Sequence, residues 1–250
     1  MTYLFFDIEC SNCFNGIGKI CSFGYVLCDE KFSIIESDDF LMNPDTVFDW
    51  YLFKKNSKCR LSYSREDYMA NPKFPSFYSK IKSLLEESNR IVLGFGCQAD
   101  VATIATECIR YDMELIDFNC QDIHSVLEKT FGEKGGLGTI VEKLGISTEG
   151  MEFHDSRSDA YFTMKVTEKL VNEQNKPLKE ILAPFTPFSS KLLRKQKIKK
   201  LYSNYLERKE AAKAGSEKAP RPLKKITVPA WFDYRRKLLE EIENDRKSTL

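Results

Sequence analysis

Five side chains with the chemistry of a cation site are spread over the first 160 residues. Asp7 and Glu9 end an apolar stretch, Asp100 lies in mid-chain, and His154 precedes Asp159 by five residues. Carboxylate oxygens are the ligands that Mg²⁺ and Mn²⁺ prefer. A histidine near metal-bound carboxylates can accept a proton from water. The set predicts a divalent-metal site that activates water.

Three predicted elements position these groups. Residues 3–9 form a strand, so Asp7 and Glu9 project from the same face. Asp100 opens a helix after a short buried strand at 90–94, and the carboxyl ends of strands are where open α/β sheets place their sites. Asp159 falls in the first turns of a helix at 156–172. Each group alone also fits an ordinary role, such as a turn residue, a helix-dipole partner or a cap.

The remaining pattern predicts antiparallel strands followed by alternating strands and helices. Strand-like runs at 19–28 and 32–42 follow the first strand with a short polar connection, which is typical of a meander. Helical spacing occupies 74–88, 99–110, 123–131 and 137–144, and a weaker strand occupies 114–120. This order favours an α/β protein with a mixed five-stranded sheet flanked by helices.

The five residues resemble the motifs of one nuclease family. Asp7-Ile8-Glu9, then Asp100, then His154 with Asp159 match in order the DEDDh group of the DnaQ-like 3′–5′ exonuclease superfamily. The resemblance covers about residues 1–175 and implies a ribonuclease-H-like fold. The second motif, Gly94-Phe95-Gly96-Cys97-Gln98-Ala99-Asp100, lacks the Asn that many members carry before this helix. Its glycines are closer to the Eri-1 and KapD-like branch, several members of which act on RNA.

The resemblance also implies a mechanism. Asp7, Glu9, Asp100 and Asp159 would hold two Mg²⁺ or Mn²⁺ ions, and His154 would take the proton of the attacking water. The expected activity is removal of nucleoside 5′-monophosphates from 3′ ends of single-stranded or overhanging nucleic acid, with RNA slightly favoured. The alternatives are a DNA end-trimming or proofreading exonuclease that acts with a partner complex, and a non-catalytic nucleic-acid-binding adaptor. An endonuclease of the wider ribonuclease-H-like class is disfavoured by the His154–Asp159 spacing.

The charge of the chain is unevenly distributed. Residues 186–250 carry 18 Lys and Arg against 8 Asp and Glu, a net of +10, whereas residues 1–185 have a net of −9. We expect an exonuclease domain at 1–185 and a basic helical extension at 186–250, with helices at 190–214 and 230–247 and a linker at about 215–229. The extension would bind the nucleic acid, pack on the body, or bind a protein partner or a second copy.

Candidate substrate contacts are less specific than the acidic motifs. An aromatic side chain can stack on a terminal base, and cations can bind the phosphate backbone without sequence preference. The candidates are Phe14, Arg157, Lys191, Arg194, Lys195 and Lys197. A packed or turn aromatic explains Phe14 better than base stacking does, and a solvated side chain explains Arg157 equally well. For the four residues between 191 and 197, the alternative is a solvated helix whose charge has no partner in nucleic acid.

Composition bounds the cellular setting. The chain is 42% hydrophobic and 30% charged, and its mean hydropathy of −0.40 is typical of a soluble protein. No apolar run approaches the roughly 20 residues of a membrane span, and no secretory signal is visible. The eight cysteines are then expected to be free thiols in a reducing cytoplasm. The Cys10–Cys13 pair lacks further residues at zinc-ligand spacing.

Overall fold

A mixed β-sheet occupies the centre of the protein in a computed structural model that describes residues 1–13, 17–197 and 200. Within that part the strands are β1 (Thr2–Cys10), β2 (Ile20–Asp29), β3 (Ile34–Leu41), β4 (Arg90–Gly94), β5 (Asn119–Asp122) and β6 (Phe188–Ser189). Their order in the sheet is β3-β2-β1-β4-β5-β6. The first three strands are antiparallel neighbours, whereas β4 runs parallel to β1 and β5 parallel to β4. The predicted mixed α/β architecture is confirmed.

Helices cover both faces of this sheet. They are α1 (Arg65–Ala70), α2 (Phe74–Leu85), α3 (Gln98–Arg110), α4 (Ile123–Phe131), α5 (Leu137–Lys143), α6 (Ser156–Gln174) and α7 (Leu178–Leu182). Residues 190–197 are also helical. None of the helices in the described part of the chain has the length and apolar composition that crossing a membrane requires.

Alternation along β1 divides the core into two layers. Leu4 and Phe6 pack with residues of α2 and α3 on one face, and Tyr3 and Phe5 pack with residues of α4 to α7 on the other. Successive strand residues point to opposite faces. Asp7 and Glu9 continue the series of Tyr3 and Phe5, so both carboxylates face the layer that contains α6.

Some boundaries differ from the sequence prediction. The strand expected at 114–120 begins only at Asn119, although Ile116 and Phe118 are buried. The sheet has a sixth strand within the described residues, because β6 pairs with β5. Leu193 also packs into the core. Residues on both sides of position 185 therefore contribute to one body, while the helices and linker expected beyond residue 200 lie outside the described residues.

Candidate active site

The C-terminal end of β1 is paired with β2 on one side and is unpaired on the side of β4. Its parallel pairing with β4 extends to Phe5 opposite Leu93, whereas its antiparallel pairing with β2 continues past Asp7. Asp7 and Glu9 thus extend beyond the paired part of β4 while remaining fixed by β2. This combination gives two carboxylates a rigid backbone and space for other groups beside them.

Asp100 reaches this end of the sheet from α3. It is the third residue of the helix, in the turn where the helix dipole favours a negative charge. Burial, then the charges of Glu9 and Asp122, raise the pKa of Asp100 to about 8. Such a shift means that a negative charge at this position is costly without a compensating cation.

His154 and Asp159 are joined by a backbone turn at the start of α6. His154 has a φ of +63°, which bends the chain just before the helix. Its backbone N–H donates to Oδ2 of Asp159 at 3.1 Å. Asp155 caps α6 by accepting a hydrogen bond from the Ser158 N–H at 2.8 Å. The spacing of five residues is therefore what allows the backbone of His154 to bind the Asp159 carboxylate.

Gly24 allows α6 to approach β1. This glycine lies on β2 directly opposite Asp7. A Cβ at Gly24 would overlap the backbone of Ser156 and Arg157 in the first turn of α6. The helix therefore begins in direct contact with the strand pair that carries Asp7 and Glu9. Without this contact, Asp159 would be held further from β1.

A polar cluster fixes the same helix end to β2 and β3. The Ser22 and Ser156 hydroxyls donate to Oδ1 of Asp39 at 2.6 and 2.7 Å. Ser156 is the first residue of α6, Ser22 lies opposite Glu9 on β2, and Asp39 belongs to β3. Three elements thus meet in one network beside the carboxylates, which restricts how α6 can shift.

Glu9 interacts electrostatically with each of the other four residues of the candidate site. Its Oε1 lies 3.8 Å from Nδ1 of His154, whose side chain is 41% exposed. The nearby carboxylate of Glu9 is the main reason that the pKa of His154 is above its ordinary value, and burial opposes that shift. Burial, followed by Glu9, raises the pKa of Asp159 to about 7. Asp7 shows the same effect, since burial and then Asp100, Glu9 and Asp159 raise its pKa well above the usual range.

The donor groups fit a divalent cation. Ligand atoms of Glu9, His154 and Asp159 lie within 4.8 Å of one another. Oδ1 of Asp159 is buried and has no hydrogen-bond partner among the described residues. A buried carboxylate oxygen without a partner costs free energy, and a bound cation would remove that cost. Carboxylate oxygens from Asp7, Glu9, Asp100 and Asp159 are the donors that hard cations such as Mg²⁺ and Mn²⁺ take.

The candidate substrate contacts from the sequence analysis do not gather at one place as the acidic residues do. Phe14 lies outside the described residues. The Arg157 side chain is exposed. Its charge acts to lower the pKa of Tyr63, which lies beside the cluster of Ser22, Asp39 and Ser156. Lys191 and Lys195 are exposed, while the Nε atom of Arg194 is buried. The charge of Lys197 helps to lower the pKa of the Cys13 thiol, which lies three residues beyond the end of β1.

Several residues that shape the site were not found from the sequence. A lone glycine in the bulky run Ile20–Asp29 signals close approach of another backbone, and Gly24 has that role. Ser22, Asp39 and Ser156 carry no comparable signal, because they meet only when three distant segments fold together. Lys58 was also missed, although its backbone helps to raise the pKa of the His154 side chain.

Comparison with known proteins identifies the fold. No family model and no curated protein sequence matches the chain. A solved 3′-exonuclease that recognises the 3′ end of a histone mRNA stem-loop is 14% identical with a TM-score of 0.58, over 69% of this chain and 82% of that chain. The nuclease domain of 3′hExo, a DEDDh family member bound to rAMP, is 16% identical with a TM-score of 0.53, over 69% and 92%.

A third similar structure binds DNA. Exonuclease I of E. coli in complex with a dA16 oligonucleotide is 16% identical with a TM-score of 0.56, and the match covers 72% of this chain and 42% of that chain. These likenesses, at low identity, establish a shared fold. The protein thus has the ribonuclease-H-like fold of 3′-exonuclease nuclease domains.

Proposed function

We propose that the protein is a divalent-metal-dependent 3′–5′ exonuclease that releases nucleoside 5′-monophosphates from single-stranded or overhanging nucleic acid. The observation that carries the proposal is the meeting of four carboxylates and one histidine at the open end of β1, with the unpartnered Asp159 oxygen among them. A purely structural role does not account for three neighbouring aspartates, Asp7, Asp100 and Asp159, whose pKa values are raised by burial and by nearby carboxylates. The fold shared with 3′-exonucleases supports the same reaction class.

Each residue has a distinct part in the proposed reaction. Asp7, Glu9, Asp100 and Asp159 would hold two Mg²⁺ or Mn²⁺ ions. Such ions, when bound, supply Lewis-acid activation of water and stabilise the charge of the departing 3′ oxygen. His154 accepts the proton of the attacking water, and its partial exposure leaves the ring accessible to that water. The turn that binds the His154 backbone to Asp159 holds the base beside the carboxylates.

RNA is the slightly favoured substrate in this proposal. The glycine-containing second motif is closer to the Eri-1-like branch, and one similar structure recognises an mRNA 3′ end. DNA is the main alternative, since another similar structure holds a DNA oligonucleotide. A DNA end-trimming enzyme would act with a partner complex, through the basic extension. A reducing cytoplasm is the proposed location, where the eight cysteines would remain free thiols.

End-labelled oligonucleotides test the proposal. Purified protein is incubated with single-stranded and duplex RNA and DNA, each labelled at the 5′ end, in Mg²⁺ or Mn²⁺. Stepwise shortening from the 3′ end and release of nucleoside 5′-monophosphates are expected, and a chelator should abolish both. A circular single strand serves as the control and should remain uncut.

Two results would contradict the proposal. Cleavage of the circle would indicate an endonuclease. Binding of the oligonucleotides without any shortening in either metal would favour the non-catalytic adaptor.

A further inference from the structure

A basic loop between β3 and α1, defined here as residues 47–60, lies beside the candidate active site. Buried side chains hold this loop against the sheet, because Phe48 and Leu52 pack in a separate buried cluster with Cys21 of β2. The Cys21 thiol in turn donates to the backbone carbonyl of Glu9 at 3.4 Å. The loop is therefore fixed to the strand pair that carries the carboxylates.

Further contacts tie the loop to the site on two sides. The Asn12 side-chain amide donates to the Val47 carbonyl at 2.6 Å, and the Asp49 N–H donates to the Ser11 carbonyl at 2.8 Å. At the other end of the loop, the backbone of Lys58 lies close enough to the His154 side chain to help raise its pKa. The basic loop thus spans from the end of β1 to the proposed general base.

The exposed side of the loop is cationic. Residues 54–60 contain four basic residues and no acidic one, in contrast to the net charge of −9 over residues 1–185. All four basic side chains are exposed: Lys54, Lys55, Lys58 and Arg60. A cluster of positive charge next to an acidic site is suited to a polyanion whose end enters that site.

An exposed aromatic ring lies within the same surface. Trp50 is 68% exposed, and Nζ of Lys54 lies 3.6 Å from the centre of its ring. This cation–π contact orients the ring while leaving most of its surface open to solvent. Aromatic rings interleaved with cations are the usual means of binding single strands without sequence preference, by base stacking and phosphate pairing.

The space beside the loop has the size of a nucleotide site. A cleft of about 550 Å³ lies between the basic loop and the start of α1, lined in part by Phe53, Arg60 and Arg65. The Ser62 hydroxyl on its wall donates to the His154 carbonyl at 3.3 Å. The cleft therefore adjoins the turn that holds the proposed base, and ligand sites commonly have volumes of about 300 to 1,000 Å³.

We infer that the basic loop binds the single-stranded segment immediately upstream of the 3′ end, with Trp50 stacking on a base and the four cations pairing with phosphates. This inference rests on the proposed exonuclease function and assigns the strand-binding surface of that site. It places strand binding on the body of the protein, in addition to the C-terminal extension.

Two variants of the full-length protein test the inference. The first is Trp50→Ala, and the second combines Lys54→Gln, Lys55→Gln and Arg60→Gln, which leaves Lys58 beside His154 unchanged. Binding is measured by fluorescence anisotropy with a 12-nucleotide single strand that carries phosphorothioate linkages at its 3′ end. Trp50→Ala should weaken binding roughly 5- to 150-fold. The combined variant should lower the slope of log affinity against log salt by up to about 2.

A small substrate distinguishes loss of strand binding from loss of the hydrolytic reaction. The p-nitrophenyl ester of thymidine 5′-monophosphate has no upstream strand, so both variants should hydrolyse it at the wild-type rate. The matched control combines Lys176→Gln and Lys179→Gln, beyond the far end of α6, which is about 28 Å long by helix geometry. This control should bind the oligonucleotide normally.

The possible failures are distinguishable. Wild-type oligonucleotide affinity and salt slope in both loop variants would overturn the inference while leaving the proposed function intact. Loss of ester hydrolysis in the loop variants would also overturn it, because the loop would then act on the site itself. Failure of the wild-type protein to hydrolyse any substrate would instead reject the proposed function.

Discussion

The contact between His154 and Glu9 links the proposed base to the proposed cation ligands. Without a cation, the carboxylate of Glu9 attracts the imidazolium, which is why the pKa of His154 is above its ordinary value. A cation on Glu9 would both occupy its oxygens and repel the protonated ring. The protonation state of His154 therefore reports on whether the carboxylates bind metal.

We predict that saturating Mg²⁺ lowers the pKa of His154. The chain has only two histidines, so imidazole C–H resonances in an NMR pH titration can be assigned by a His124→Gln variant. The His124 resonance is the internal control, since its ring lies against Phe95 in a separate contact. A His154 pKa that is the same with and without Mg²⁺ would contradict the assignment of Glu9 as a ligand.

Asp7→Asn should increase the stability of the metal-free protein while abolishing its activity. The substitution removes one of several mutually repelling buried charges, so the metal-free protein should be more stable. The free energy of unfolding should increase, and the increase should be larger at higher pH, because the raised pKa means that the folded protein disfavours the ionised carboxyl. Metal-dependent hydrolysis should be lost at the same time.

Urea unfolding in the presence of a chelator measures this effect. Asp117→Asn is the matched control, because Asp117 is an exposed aspartate outside the site, and its stability should remain within about 0.5 kcal/mol of wild type. A destabilised Asp7→Asn protein would show that the Asp7 carboxylate has a structural role in the fold.

At the scale of elements, the position of α6 on the sheet decides whether Asp159 meets β1. The helix begins against Gly24 and is held by the Asp39 cluster. Neither contact involves a proposed catalytic group. The geometry of the site thus depends on the packing of one helix end against two strands.

Gly24→Ala should therefore displace α6 and reduce activity. Its Cβ would overlap the backbone of Ser156 and Arg157, which cannot move aside as a side chain can. We expect destabilisation of about 1–3 kcal/mol by urea unfolding and a loss of hydrolysis of at least tenfold. Gly136→Ala is the matched control, because a Cβ there has open space and should change neither quantity appreciably. Equal behaviour of the two variants would exclude the proposed contact.

Local pattern explains which elements the sequence could predict. The alternation around Asp7 and Glu9 and the glycine turn before Asp100 are short-range features, and they placed β1, β4 and α3 well. The capping box of Ser64 and Asp67 is equally local, yet α1 was overlooked within a region dominated by turn residues. The apolar residues Ile116 and Phe118 were mistaken for strand because burial alone does not distinguish a strand from an extended connection.

Long-range contacts explain what the sequence could not predict. β6 has two residues and exists only because β5 offers a free edge. The basic loop of residues 47–60 has no regular pattern, and its position beside His154 follows from side chains buried in a separate cluster. Spacing predicted which residues could bind a cation, whereas the surfaces around them depend on the complete fold.

At the scale of the whole molecule, the acidic site should make stability depend on pH. The folded pKa values of Asp100 and Asp159 are about 8 and about 7, both above the ordinary value of 3.8. Because the folded state binds protons more tightly at these groups, their contribution is full below about pH 4 and is lost as the pH rises towards 8.

We predict that the melting temperature in chelator falls between pH 5 and pH 8, and that Mg²⁺ or Mn²⁺ restores it most strongly at the upper end. The metal should raise stability because it binds the folded protein and not the unfolded chain. The melting temperature is measured by circular dichroism at each pH, with Ca²⁺ as a further cation. The same pH dependence with and without added metal would show that these carboxyl groups do not bind the cation.

The most direct test of the site is the number of cations it binds. Mn²⁺ binding is measured by electron paramagnetic resonance with a nucleoside 5′-monophosphate present, for the wild-type protein and for Asp159→Asn. We predict two Mn²⁺ per chain in the wild type and weaker, incomplete binding in the variant. Equal binding by the two proteins, or none by either, would contradict the claim that these carboxylates form one metal site.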